Sequence, residues 1–421
     1  LTNLPEAAYR EPLVWYKSIR GTVAWVTGPD LVDQILVSGA DDFEKTRVEK
    51  RVFERTLGTG VLTAEGPLWR WERRIMAPLF RHQEIERYVP EMVRAADEQV
   101  SRWRASRSPV RRVDLDMVDT TFAIIARTML EGGEPAEAAV IKRETASSLD
   151  GISWEVAFAL LNLPRWLPHP AWLRLRRSSR KLREAVGAIV ARRRASAQTD
   201  GDDLLSRLIR ARDEETGTGM TDEQVIDNLL TLLEAGHETT AKALSWTLYL
   251  LARAPEWQDR VRDEIANVMG DAPFSSAFMD RLPVTQQVLK ESMRLYPPAA
   301  IMVRMARRNV NLGGTSFPPG TLTVIPIFCI HRHRQLWADP DRFDPTRFGE
   351  GKTYPRTQFM PFGGGGRICL GSAFAMTEAM AMLATFIRAA RFEWDGTTFP
   401  EPVSRITLQP KGGVTLRLGL I

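Results

Sequence analysis

Apolar positions from Thr221 to Ala252 read as one long helix. Thr221-Asp222-Glu223 supplies the capping sequence at its start. At ~1.5 Å per residue such a helix spans roughly 50 Å, enough to cross a whole protein. Its middle, Glu234-Ala235-Gly236-His237-Glu238-Thr239-Thr240, puts charge, glycine and threonine where a buried helix favours apolar side chains. Local rules broken inside a buried element mark a site.

The remaining pattern is mainly helical. Residues 65–103 predict helix, with breaks at Pro78 and Pro90, and Trp69, Arg73, Met76 and Phe80 fall there at three- and four-residue steps. Further helices are expected at 115–131 and 171–197, the second ending in a solvated Arg192-Arg193-Arg194. Val284–Leu295 is an amphipathic helix that stops before Pro297-Pro298, and Leu370–Ala389 is helical again. β-Branched runs around Gly21–Thr27 precede a short helix at Asp30–Val37. Strands suit Ile301–Ala306, Val310–Leu312 and Leu322–Phe328, with Gly313-Gly314 and Pro318-Pro319-Gly320 as turns. Trp154–Trp172, rich in proline and tryptophan, reads either as a connector whose aromatics pack on the body or as an apolar lid or contact patch. Trp337–Phe362 is irregular, and there is no internal repeat.

Composition narrows the class. Over 421 residues, 44% hydrophobic and 26% charged is a globular balance that argues against global disorder. A net charge of +5 is too mild for a nucleic-acid claim and fits a local basic face, with Arg70, Arg74 and Arg81 as candidates to dock an acidic partner. No window is apolar enough to span a membrane, and the first residues carry no signal-peptide pattern. The two cysteines, Cys329 and Cys369, support no disulfide framework, so a reducing cytoplasm is the expectation.

The most informative segment is Phe362-Gly363-Gly364-Gly365-Gly366-Arg367-Ile368-Cys369-Leu370-Gly371. Its glycines allow positive φ and close approach to something flat or bulky. Cys369 opens a helix of small residues, where the helix N-terminus favours a thiolate. Arg367 offers a cation two residues before it, suited to a carboxylate of a bound cofactor. A Walker loop needs lysine where Ser372 stands, and no frame supplies the third glycine of a dinucleotide fingerprint. A structural loop around a buried cysteine remains the other reading. Cys329, in an apolar run, reads as core, and His331-x-His333 alone is a weak metal site.

This segment resembles the cysteine-ligand loop of the cytochrome P450 family, phenylalanine-glycine-x-glycine-x-arginine-x-cysteine-x-glycine. The resemblance implies that Cys369 is the axial thiolate of haem b, that Phe362 packs near the sulfur and that Arg367 pairs with a propionate, with Gly363 and Gly371 completing the loop. Thiolate donation favours O–O cleavage. Three further motifs occur in family order. Ala235-Gly236-His237-Glu238-Thr239-Thr240 resembles the oxygen-binding kink of the central helix. Ala235 and Gly236 would leave room for O2, while Glu238 and Thr239 would guide protons to it. Glu291-x-x-Arg294 with Arg347 resembles the family's buried triad, whose implied role is to fix the stretch leading to Cys369. Trp69-x-x-x-Arg73 resembles the propionate contacts of the haem-flanking helix, and Arg304 a further one.

The resemblance covers residue 12 to the end. It implies a mainly α cytochrome P450 fold in a single haem domain, 1–421, with a small β-rich lobe at about 10–60 and 300–330. The implied activity is insertion of one oxygen atom from O2 into an apolar organic substrate. No flavin or iron–sulfur segment is visible, so a separate ferredoxin- or flavodoxin-type donor with its NAD(P)H reductase is expected, serving a cytoplasmic monomer. The form of the central motif resembles bacterial members closer to fatty-acid and microsomal types. A peroxide-driven peroxygenase and a non-catalytic haem carrier or sensor are the rival readings; the intact Glu238-Thr239 pair argues against the first.

Overall fold

The computed structural model describes residues 4–18, 21–130, 135–161, 163–164, 166–195, 201–397 and 399–421. The ends of the helices expected at 115–131 and 171–197, and positions 162 and 165 of the proline-rich stretch, lie outside the described residues. The chain is mostly helical with small sheets, as its patterning predicts. It forms two compact units: Leu1–Thr46, Met92–Val118 and Thr239–Ile421 make one, Arg47–Glu91 and Asp119–Glu238 the other.

The first unit holds a five-stranded sheet in the order Leu13–Ser18, Gly21–Val26, Leu322–Ile325, Met302–Ala306, Phe43–Glu44. All neighbours are antiparallel except Gly21–Val26 and Leu322–Ile325, which run parallel with Trp25 opposite Val324. Val32, Ile35, Leu36, Phe317 and Ile325 form the apolar cluster beside it. A second sheet joins Val110–Arg112, Thr415–Leu420 and Ala390–Glu393. It lies outside the expected β-rich ranges: Val110–Arg112 and Ala390–Glu393, at three and four residues, are too short to show a two-residue period, and the six-residue Thr415–Leu420 is not among the expected strands. The same unit contains the helices Pro283–Leu295 and Ser372–Ala389. Trp246 stacks on Tyr296 at 3.9 Å between ring centres, and Trp103 packs on Phe386 at 4.7 Å.

The second unit is built from Arg47–Leu57, Gly66–Met76, Pro135–Leu160, Trp172–Ala195 and the first half of the long helix, which runs Asp222–Arg253. Thr221 Oγ1 accepts from the Gln224 N–H at 3.3 Å, and Gln224 Oε1 accepts from the Thr221 N–H at 2.9 Å. That is a reciprocal capping box, with Gln224 as the member the sequence reading omitted.

Several expectations are corrected. The strand expected to reach Phe328 stops at Ile325, since Pro326 cannot donate to a ladder, and Ile327–Ile330 turns helical. Pro90 starts a helix rather than breaking one: it lies in the first turn of Val89–Ala105, where its missing N–H has no partner to lose. Arg47–Leu57 is a helix inside the range expected to be β-rich. Pro135–Leu160 runs through the start of the presumed connector, and Trp166 is 78% exposed, so its indole does not pack on the body. The arginine run is solvated at Arg192 and Arg194, which are exposed while paired with Glu137 and Asp222, but Arg193 is drawn in by Asp203.

Candidate functional site

Cys369 stands between the 3-10 turn Gly365–Arg367 and the helix Ser372–Ala389. Its N–H donates to the Phe362 carbonyl at 2.9 Å, closing the loop on itself. Gly363 and Gly365 adopt φ of 76° and 68°, which L side chains rarely tolerate. A Cβ at Gly365 would fall 1.9 Å from the carbonyl oxygen of Leu36, so this glycine admits a neighbouring backbone. Cys369 is exposed, Ile368 beside it is 41% exposed, and a Cβ at Gly371 would meet nothing within 4 Å. An accessible sulfur on a glycine and apolar shelf, at the start of a helix, fits a flat apolar group whose metal takes a thiolate. Cys329 does not fit. It is fully buried, and burial pushes its thiol up to about 12.

The strand Met302–Ala306 flanks this loop: a Cβ on Gly363 would touch the Met302 sulfur at 3.4 Å. Arg304, two residues on, shares that face of the strand. Its carbonyl accepts from Thr323 Oγ1 at 3.0 Å. Arg367 is half-buried in its 3-10 turn. The structure thus brings Arg304, Phe362, Gly363, Arg367, Cys369 and Gly371 into one neighbourhood.

The irregular stretch before the loop is fixed from inside. Fully buried Arg294 donates through Nε and Nη2 to both oxygens of fully buried Glu291, at 2.7 and 2.8 Å. It also donates to the carbonyls of His331, Pro340 and Arg342 at 2.7, 2.7 and 3.1 Å. Glu291 Oε1 accepts the Asp344 N–H at 2.8 Å, and Arg347 Nε stands 3.5 Å from the same oxygen. Arg347 itself donates to the Asp339 carbonyl at 2.9 Å. His331 adds a link the sequence did not reveal: its Nε2 accepts the Met360 N–H at 3.0 Å, and burial lowers its basicity to about 3, which keeps the ring neutral. The only sequence signal for it was an isolated His-x-His pair.

In the second unit, Asp227 and Asn228 of the long helix accept the N–H groups of Thr59 and Val61 at 2.7 and 2.8 Å. They anchor the turn that leads into Gly66–Met76, on which Trp69 and Arg73 are both half-buried and one helical turn apart. Between them Glu72 is fully buried, and desolvation raises its carboxyl to about 7. Arg74 is not available for docking as expected, because Asp213 takes it by two bonds; Arg70 and Arg81 are exposed.

Along the middle of the long helix Ala235 is exposed and Thr239 half-buried, while Glu234 and Glu238 are buried on the next face. The His237 carbonyl accepts from Thr121 Oγ1 at 2.9 Å, and His237 Nδ1 faces the Leu233 carbonyl at 2.7 Å. A Cβ at Gly236 would stand 2.5 Å from Ile125 Cδ1, so the room this glycine leaves is used by the neighbouring helix Val113–Met129. Among the buried carboxyls that the sequence reading did not single out are Glu72, Glu234, and Glu378 on the helix after Cys369. For the last two the visible signal is a glutamate beside an apolar run, Leu232-Leu233-Glu234 and Glu378-Ala379-Met380.

The cytochrome P450 family model matches residues 6–417. The chain belongs to the cytochrome P450 family. The cyclooctatin synthase of Streptomyces melanosporofaciens is 32% identical over 390 residues, covering 92% of this chain and 83% of its own length. The 11-oxo-beta-amyrin 30-oxidase of Medicago truncatula is 30% identical over 418 residues, covering 93% of this chain and 78% of its own. The crystal structure of the cytochrome P450DA heme domain superposes with a TM-score of 0.87 at 25% identity, covering 97% of this chain and 90% of that one. This P450 is accordingly an oxidoreductase, and its family and fold imply a haem cofactor. P450s work with redox partners, O2 and apolar substrates. No helix among the described residues is long and apolar enough to cross a membrane.

Proposed function

We propose that this P450 is a haem-thiolate monooxygenase that hydroxylates an apolar organic substrate, with Cys369 as the iron ligand. The observation that carries the reading is an exposed sulfur at a helix start, on a shelf of glycines and apolar side chains. Arg304, Arg367, Trp69 and Arg73 would hold the propionates of haem b, while Phe362, Gly363 and Gly371 shape the loop around the sulfur. Bound haem supplies the redox chemistry that activates O2. Exposed Ala235 would leave the room for O2, whereas the space at Gly236 is taken by Ile125 and not by oxygen as expected, and Glu238 and Thr239 hold and pass protons toward the oxygen. Glu291, Arg294 and Arg347 fix the stretch before Cys369, so that the sulfur is presented in one geometry.

Electrons come one at a time from a separate ferredoxin- or flavodoxin-type donor and its NAD(P)H reductase, and the chain acts as a single haem domain in the cytoplasm. The Glu238-Thr239 pair favours O2 over peroxide as oxidant, since an acid–alcohol pair serves protonation of oxygen. Cys369→Ala and Cys369→His should abolish the strongly red-shifted ferrous-carbonyl band; a variant that retains it ends the assignment. Turnover driven by peroxide against turnover driven by reduced donor separates the peroxygenase reading. Fatty acids, terpenoids and small aromatics, screened for a spin-state change, identify the substrate class.

A further inference from the structure

Glu234 is buried, only 6% exposed, and its Oε1 has no hydrogen-bond partner. Carboxyls are rarely left so deep in a helix interior without a role. Two polar neighbours give it one. Glu238 lies one turn further along the same helix, at the spacing that puts Cβ atoms about 5–6 Å apart. From the helix Pro135–Leu160 the fully buried Ser148, whose hydroxyl like Glu234 Oε1 has no hydrogen-bond partner, lies near enough to act on the carboxyl. Ser148 is in turn one helical turn from Glu144, which faces a surface groove lined by Arg143, Glu144, Ser147 and Ser178. The spacings are i to i+4, then across two helices, then i to i+4 again.

We infer that Glu234 is the inner stage of a proton path that enters at the Glu144 groove, passes Ser148 and refills Glu238. The inference rests on the proposed role of Glu238. When Glu238 has given up its proton, the Glu234 carboxyl transfers its own: one O–H bond breaks as another forms, and no electron moves. Solvent then reprotonates Glu234 through the Ser148 hydroxyl. Glu234 acts through Glu238 and is a positioning residue, not one that touches oxygen.

The electrostatics agree. Burial raises the Glu234 carboxyl to about 8; the Ser148 hydroxyl pulls it down by less, and the charge of Glu238 adds a smaller push upward. Glu238 is the one charge acting on it among the described residues. At neutral pH Glu234 therefore holds a proton that an ordinary carboxylate would have lost.

The test uses the haem-loaded protein with a reductase, without substrate, and measures hydrogen peroxide released per NADPH consumed. Glu234→Gln keeps shape and haem content but cannot pass a proton. The wild type should lose rate above ~pH 8, where Glu234 gives up its proton, and Glu234→Gln should remove that loss, slow NADPH consumption about tenfold and raise the peroxide share. Ser148→Ala should act in the same direction, and Ser148→Thr should restore function. Infrared spectra at pH 7 should show a protonated carboxyl band that Glu234→Gln deletes. Unchanged peroxide share and pH profile in Glu234→Gln, with Glu238→Gln strongly altered, overturns the path alone. Unchanged behaviour in Glu238→Gln overturns the role of Glu238 as well. A change in peroxide share without loss of the alkaline limb also overturns it, since a merely structural defect would do that.

Discussion

Glu291→Ala tests the frame on which the sulfur geometry depends. Arg294 has no exposure and directs two of its hydrogen bonds to Glu291 and three to the carbonyls of His331, Pro340 and Arg342. Deleting the carboxylate leaves one guanidinium buried without a counter-charge, strands the Asp344 N–H, and removes the anion 3.5 Å from Arg347 Nε. Breaking one side of a buried ion pair costs about 3–5 kcal/mol, a large part of the ~5–15 kcal/mol that holds a domain folded. Arg294→Met should cost a similar amount. The double variant should lose clearly less than the sum, because neither charge is then left alone. The measurement is urea unfolding followed by tryptophan fluorescence and circular dichroism together, with haem content read on each purified protein. Strictly additive losses, or a Glu291→Ala protein that unfolds and loads haem like the wild type, would refute the reasoning.

Thr239→Ala should keep haem and substrate binding while diverting reducing equivalents to peroxide; product formed per NAD(P)H consumed, unchanged, would count against proton delivery. Gly365→Ala, with φ of 68° and a Cβ placed 1.9 Å from a carbonyl oxygen, should lose more than about 2 kcal/mol in urea unfolding. Gly371→Ala, whose Cβ meets nothing within 4 Å, should lose under about 1 kcal/mol in the same assay. Glu378 is fully buried and raised to about 8 by desolvation, so the folded chain keeps a proton that the unfolded chain releases above its ordinary value of 4.5. Stability from this group is therefore intact below about pH 4.5 and falls as pH rises toward 8, by up to roughly 3–5 kcal/mol. Glu378→Gln should flatten that slope, and a wild-type slope preserved in the variant would exclude Glu378 as its source.

What could be read from the residues themselves was chemistry at short range. A cysteine after four glycines and an arginine, a charged and threonine-bearing motif inside a long apolar helix, and Glu291 three residues from Arg294 are all contained in single segments. Their spacing follows from one helix or one turn, so sequence determines it. The long helix and the helix after Cys369 were legible for the same reason, since many residues repeat one period.

Tertiary structure decided whatever joins distant segments. No local pattern pairs Gly21–Val26 with Leu322–Ile325, seats Leu36 against Gly365, or turns His331 toward Met360. Nor does composition tell a solvated arginine from Arg193, held by Asp203, or a solvent-facing Glu234 from a buried one beside Ser148. Periodicity along the chain encodes which side of an element is apolar. The partner that covers that side, and therefore the burial that shifts a carboxyl or locks a glycine, exists only once the chain has folded back on itself.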